Sequence, residues 1–244
     1  MTSIKAIKKS TTAQVDAVLK DVPKIIAAFE SALSTHFAAP SPSELENAYA
    51  ATLKSSPNAI NTPLVSALSS YKDLLAQTID NIQLFERFIV LHIPQMEDGN
   101  NFGVTVQMTV GKALKETRES LLKQMDSVVT YYNSRADAVE KLSLEKSTKT
   151  VSSTSSKTDS SKDEEKKEST TESTDVKTVS TESKTYDFRL MALAALDVNA
   201  YMSSKAGLVD TFNDFLMVVD NIEKNKLKLT SPKGSSGGNS MGMY

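Results

Sequence analysis

The chain is predicted to be all-α, an up-down-up-down four-helix bundle, on three observations. Apolar residues recur at intervals of three and four over four long stretches, and no stretch reads as a credible strand. A hydrophobic content of 39% with 6% aromatics and no Trp suits Leu, Ile, Val and Ala packing between helices. A tight Pro- and Gly-bounded turn sits between two of the longest periodic stretches, as it does where antiparallel helices are joined.

The first stretch, about residues 3–37, carries Ile4, Ile7, Val15, Val18, Ile25, Phe29 and Leu33 on a helical repeat, with Pro23 in its middle predicting a kink or a break. From 38 to 63 the Pro, Ser and Asn content interrupts the period and predicts a linker, within which 44–54 can form a short helix. Leu64, Leu68, Tyr71, Leu75, Ile79, Ile82, Phe85 and Ile89 then share one face, the clearest helical signal in the chain. The helix ends before Pro94, which lacks an amide donor and clashes with the preceding turn. After the turn, Val110, Leu114, Leu121, Met125, Val128, Tyr132, Val139 and Leu142 define a third helix within the block 64–146. Leu208, Phe212, Phe215, Val219 and Ile222 define a fourth, over 186–229.

Between helices three and four, 147–185 is dominated by Ser, Thr, Lys, Glu and Asp. So few apolar residues cannot offset roughly 1–2 kcal/mol per residue of backbone ordering, and the insert is expected to be disordered. It reads as a solvated connector or as a segment that is phosphorylated or grips a partner. The stretch 230–244 is a Gly- and Ser-rich tail ending Met243-Tyr244. Its apolar and aromatic end with a free carboxylate suits a pocket with a cation at its base; the plainer reading is an ordinary disordered terminus.

Composition narrows function. The formal net charge is −2, with no concentrated basic surface, so nucleic acid is not an expected partner. No apolar run reaches the roughly 18 residues of a membrane span and no signal-like core follows Met1, so neither membrane contact nor export is expected. The absence of Cys removes disulfides and thiolate metal sites and fits a reducing compartment. His36 and His92 lie outside any Glu-x-x-His pair, the glycines do not have P-loop spacing, and no nucleophile elbow is present. No catalytic residue, metal or cofactor is expected.

The turn Ile93-Pro94-Gln95-Met96-Glu97-Asp98-Gly99-Asn100-Asn101-Phe102-Gly103 is the most specified stretch. Pro94 stiffens it, and Gly99 and Gly103 can take positive φ angles, so an acidic loop of one shape is feasible. Glu97 and Asp98 alternatively do no more than favour the dipole of the helix that follows. With four alternating helices, the linkers one-to-two and three-to-four lie at one end of the bundle. The 93–103 turn then lies at the other end, and the C-terminal tail joins it.

The 93–104 segment resembles the activation loop of the 11S regulators, the REG or proteasome activator 28 family. Residues 132–141, Asn221 with Ile222, Glu223 and Lys224, and the terminal Met241 to Tyr244 are similar to the family's third helix, fourth helix and tail, in the same order. The resemblance implies a heptameric ring of four-helix subunits, here expected to be a homoheptamer, that docks on the α-type subunit ring of the proteasome core particle without ATP. Tails ending in Met243 and Tyr244 would enter pockets there. Loops carrying Glu97, Asp98, Gly99, Asn100, Asn101, Phe102 and Gly103 would displace the gate segments, with Glu97, Asp98 and Asn100 in contact. The family implies cytoplasm and nucleus as locations. The polar insert departs from the family's usual place between helices one and two, and Tyr244 stands last, not next to last. Gate opening is therefore expected to depend on the loop, and binding on the tail. The other reading is a helical-bundle adaptor without effect on proteolysis.

Overall fold

A computed structural model describes residues 3–38, 41–56, 58–95, 101–151 and 184–233. They form five helices: α1 (Ile4–His36), α2 (Pro42–Ser55), α3 (Thr62–His92), α4 (Phe102–Val151) and α5 (Lys184–Thr230). The disordered insert expected over 147–185 lies mostly outside the described residues, although the α4 backbone remains helical through Val151.

Local chemistry starts the helices. Ser3 and Ser41 accept hydrogen bonds from the amides of Ala6 and Glu44 at 3.3 and 3.2 Å, and Asn61 Oδ1 accepts from Leu64 at 3.2 Å. Each satisfies an amide that has no partner within its own helix. Pro23 does not break α1. It faces solvent, where water can satisfy the carbonyl that it leaves without a donor.

α1, α3, α4 and α5 form the bundle. α3 packs against α1, α4 and α5, and α5 packs in turn on α4 and α1, so α3 and α5 make the short diagonal. The main core runs its whole length, from Val15 and Phe29 on α1 through Leu75 and Phe85 on α3 to Phe215 and Leu229 on α5. Phe29 stacks on Phe212 and Phe215 at centroid distances of 5.0 and 6.2 Å, which joins α1 to α5.

Three features add to or depart from the periodicity. The expected linker contains α2, a full helix that buries Leu53 against Leu142, Leu190 and Leu193 and caps the distal end of α4 and α5. On α4 it is Tyr131 that is buried, while Tyr132 is 38% exposed. Ile4 and Ile7, assigned to the core by their spacing, are 75% and 41% exposed, because α1 begins beyond the layer that Thr11 and Val15 enter.

Polar layers fix the helices against one another. Midway, Gln124 Oε1 on α4 accepts from the Tyr71 hydroxyl of α3 at 2.7 Å and from the Thr211 hydroxyl of α5 at 3.2 Å. Burial pushes the Tyr71 phenol up to about 12, so it remains a donor. Gly207 leaves room for it: a Cβ there would sit 2.4 Å from the Tyr71 oxygen. Near the distal end, Asp197 of α5 is 1% exposed. It accepts from Tyr131 at 2.9 Å, from Arg135 Nε at 3.0 Å and from Asn61 Nδ2 at 3.3 Å, while Arg135 Nη2 donates to the Ala59 carbonyl at 2.9 Å. Burial, then the Asp197 charge, push the Tyr131 phenol far above its ordinary value. One carboxylate thus ties α5 to α4 and to the loop that starts α3.

Replacing Asp197 with Ala leaves the Arg135 guanidinium largely buried without its counter-charge. The expected result in urea unfolding at fixed protein concentration is a loss of about 3–5 kcal/mol.

Candidate docking end of the bundle

The proximal end gathers the C-terminus of α3, the N-termini of α4 and α1, and the C-terminus of α5. α3 stops at His92, and Ile93 takes extended backbone angles (φ −62°, ψ 123°), which turns the chain out of the helix ahead of Pro94. α4 starts at Phe102, and the Asn101 carbonyl accepts from the Thr105 amide at 3.0 Å and the Thr105 hydroxyl at 3.3 Å.

Gln107, fully buried in the second turn of α4, is the linchpin. Its Nε2 donates to the His92 carbonyl at 3.0 Å and to the Leu229 carbonyl at 2.8 Å. The last carbonyls of a helix have no donor within it, and here one carboxamide serves two helices that end side by side. Among the described residues, Gln107 Oε1 is buried without a hydrogen-bond partner.

The root of the tail is fastened to the root of the loop. Pro232 is buried against Gly103, where a Cβ would lie 2.1 Å from the Pro232 oxygen. Lys233 Nζ donates to the Gln95 carbonyl at 3.0 Å, and Lys228 lies 5.8 Å from the centre of the exposed Phe102 ring. Gly103 is a helical residue, so its value lies in the space it leaves for Pro232, not in a positive φ.

His92 closes the inner side. Its Nδ1 donates to the Phe88 carbonyl at 2.7 Å and its ring lies 4.4 Å from that of Phe88. Burial lowers its pKa, the Phe88 hydrogen bond opposes that, and the nearby Lys8 charge lowers it further.

The structure therefore places Asn101, Phe102 and Gly103 of the expected loop at this end, together with the start of the tail. Glu97, Asp98, Gly99 and Asn100, and Met243 and Tyr244 of the tail, lie outside the described residues. Periodicity passed over Gln107, Pro232 and Lys233. A polar Gln at a core position of an otherwise apolar repeat is the one signal that pointed to the first of them. Among the described residues no group of three or more His, Asp or Glu could hold a metal ion, and no helix is long and apolar enough to cross a membrane.

The geometry defines a helical-bundle protein that presents a loop and a C-terminal tail from one end. Residues 58–149 and 144–239 match the family model "Proteasome activator PA28, C-terminal". The chain belongs to the PA28 proteasome activator family. It is 30% identical over 86 residues to proteasome activator 28 of Dictyostelium discoideum, covering 35% of this chain and 38% of that protein. It is likewise 30% identical over 83 residues to human proteasome activator complex subunit 3, covering 34% and 33%. These matches span well under half the length of either relative. The fold is similar to the 11S subunit PA28 of the Plasmodium falciparum proteasome, with TM-score 0.60, 22% identity, and 94% and 92% of the two chains covered. It is also similar to a chain of an archaebacterial 20S proteasome–PA26 complex, with TM-score 0.61, 14% identity, and 99% and 100% covered.

Gly103→Ala is expected to drive Pro232 from its seat, at about 1–3 kcal/mol as in other overpacked sites. Hydrogen exchange should quicken at 229–233 and leave the Tyr71 layer unchanged. For His92, the folded pKa lies below the unfolded value, so the unfolded state binds the proton more readily. Stability is complete above the unfolded value near 6.5 and falls as the pH drops from there through the folded pKa. Thermal melts across that window should fall more steeply for the wild type than for His92→Gln.

Proposed function

We propose that the chain is a non-catalytic, ATP-independent activator of the proteasome core particle that works as a homoheptameric ring. One observation carries this reading: the roots of the loop and of the tail are bound to each other at one end, through Gln107, the Gly103–Pro232 contact and the Lys233–Gln95 hydrogen bond. A tail engaged in a pocket of the end ring then fixes where the loop is held, and a loop braced at both roots can hold a gate segment aside. Tyr244 and Met243 are the docking residues. Glu97, Asp98 and Asn100 contact the gate, and Gly99 shapes the turn.

Family membership supports the reading, as do the likenesses to an 11S subunit and to a chain of a proteasome complex. Ring formation has its own support. Met108, Leu122 and Val129 on α4, and Met202, Val209 and Leu216 on α5, are exposed and recur at multiples of seven residues, so each set forms an apolar flank that invites a neighbouring subunit. In a ring, one bound tail raises the effective concentration of the others, so each contact can be weak. The cytoplasm and nucleus, where core particles work, are the proposed locations.

The test is fluorogenic-peptide hydrolysis by latent core particle without ATP. Wild type is expected to stimulate hydrolysis. Deleting Met243 and Tyr244 is expected to abolish both docking and stimulation, whereas Asn100→Tyr is expected to dock and fail to stimulate. No stimulation by a verified heptamer would shift the reading to an adaptor without effect on proteolysis.

A further inference from the structure

The first two turns of α1 spend stability on charges that the subunit does not use. Lys5, Lys8 and Lys9 stand at the positive end of the helix dipole, and the first turn holds no acidic residue. A cation there disfavours the helix, Lys5 most, because the effect falls off beyond the first turn. Ile4 and Ile7, one turn apart on the same segment, are 75% and 41% exposed. Lysines at the other end of the same face, Lys226 and Lys228, have a structural reason, since they complement the C-terminus of α5 and Lys226 also pairs with Asp16 at 2.8 Å. Among the described residues, no carboxylate pairs with Lys5, Lys8 or Lys9.

Their place follows from helix register. α1 and α3 run antiparallel, with Ala28 to His36 facing the Ser66 to Leu74 segment, and Val18 and Ile25 facing Gln77 and Asn81. Further along, Lys8 comes close enough to His92 to disfavour its protonation. Ile4 and Lys5 therefore lie past the end of α3, level with the residues that lead into the loop. Ile93, Phe102 and Leu227, exposed by 41%, 64% and 75%, belong to the same end. Residues 4–12 and 225–233 hold six lysines and no carboxylate residue, and 88–95 and 101–111 hold neither.

We propose that the first two turns of α1 form a third docking element, beside loop and tail, that lays Ile4 and Ile7 against an apolar spot, and Lys5, Lys8 and Lys9 against carboxylates, on the protein surface that the loop and tail engage. The inference rests on the docking reading above, and takes the core particle's end ring as its occupant. A protein partner is favoured over a lipid surface by continuity: the lysines stand beside the base of a loop bearing Glu97 and Asp98, which an anionic bilayer would repel. Opposite charges at the rim of an interface act mainly on encounter rate and salt dependence, while the two isoleucines add contact area.

The test measures binding of the full-length protein to immobilised latent core particle at low and at physiological salt. Wild type is compared with the triple variant Lys5→Glu, Lys8→Glu, Lys9→Glu and with the double variant Ile4→Ser, Ile7→Ser. The charge reversal is expected to weaken binding about tenfold or more at low salt and to flatten its salt dependence. Because glutamates suit a helix N-terminus, the same variant is expected to melt no lower than wild type with its oligomeric mass unchanged, which separates lost docking from lost folding. The double variant is expected to bind more weakly while keeping the wild-type salt dependence. Equal binding by wild type and the triple variant overturns the inference alone. Failure of wild type to bind the core particle overturns the docking reading and this inference with it. Phosphatidylserine vesicles form the remaining arm: wild-type binding to them that the triple variant loses, with core-particle binding unchanged, makes lipid the occupant and overturns the proposal.

Discussion

The working end of this protein depends on a single buried carboxamide. Gln107 lies where α3 and α5 finish side by side, and its Nε2 supplies both with the donor that neither can supply for itself. Without it, two carbonyls would face an apolar layer formed by Leu229 and the Phe88–His92 pair, each at a desolvation cost of about 1–3 kcal/mol. Because α3 leads into the 93–103 turn and α5 into the 230–244 stretch, the same bond that satisfies the backbone also holds the roots of the two side by side. The Gly103–Pro232 contact then fixes the angle at which the tail leaves, and Lys233 returns to the Gln95 carbonyl.

Above that end, the bundle uses polar layers where apolar packing alone would permit sliding. An apolar stripe is similar from one heptad to the next and tolerates a shift of register. The Tyr71, Gln124 and Thr211 cluster does not, since any shift would leave buried hydroxyl and amide groups unpaired. Asp197 does the same near the far end, and its reach to Asn61 and Arg135 extends the constraint to the loop beneath α2.

The same end has an asymmetric charge pattern. The termini of α1 and α5 there carry lysines, those of α3 and α4 carry no charge beyond His92, and Glu97 and Asp98 belong to the turn between α3 and α4. Lys226 pairs with Asp16 and Lys228 complements the end of α5, whereas no described carboxylate pairs with Lys5, Lys8 or Lys9. Elsewhere, the exposed apolar flanks of α4 and α5 leave the subunit with surface that a neighbour of the same kind would cover.

Much of this was legible in the sequence. The spacing of Leu68, Leu75, Ile82 and Ile89 marks α3, Pro94 marks where it ends, and counting alternating helices puts the loop and the tail at one end before any coordinate is known. The sequence also pointed to the short helix within 38–63, though not to its role as the cap over α4 and α5, which depends on Leu53 meeting Leu142 and Leu190. Spacing placed Ile4 and Ile7 in the core and gave Gly103 a role in backbone conformation. The structure leaves the first two in solvent and gives the glycine a role in clearance. What the sequence determined by itself is what local periodicity and chain parity encode: which residues are helical, which face is apolar, and which ends meet. Only the tertiary structure decided how those ends are joined, because Gln107 and Leu229, Gly103 and Pro232, and Asp197 and Asn61 are brought together by helix register, and pairings between such distant positions leave no repeat in the chain.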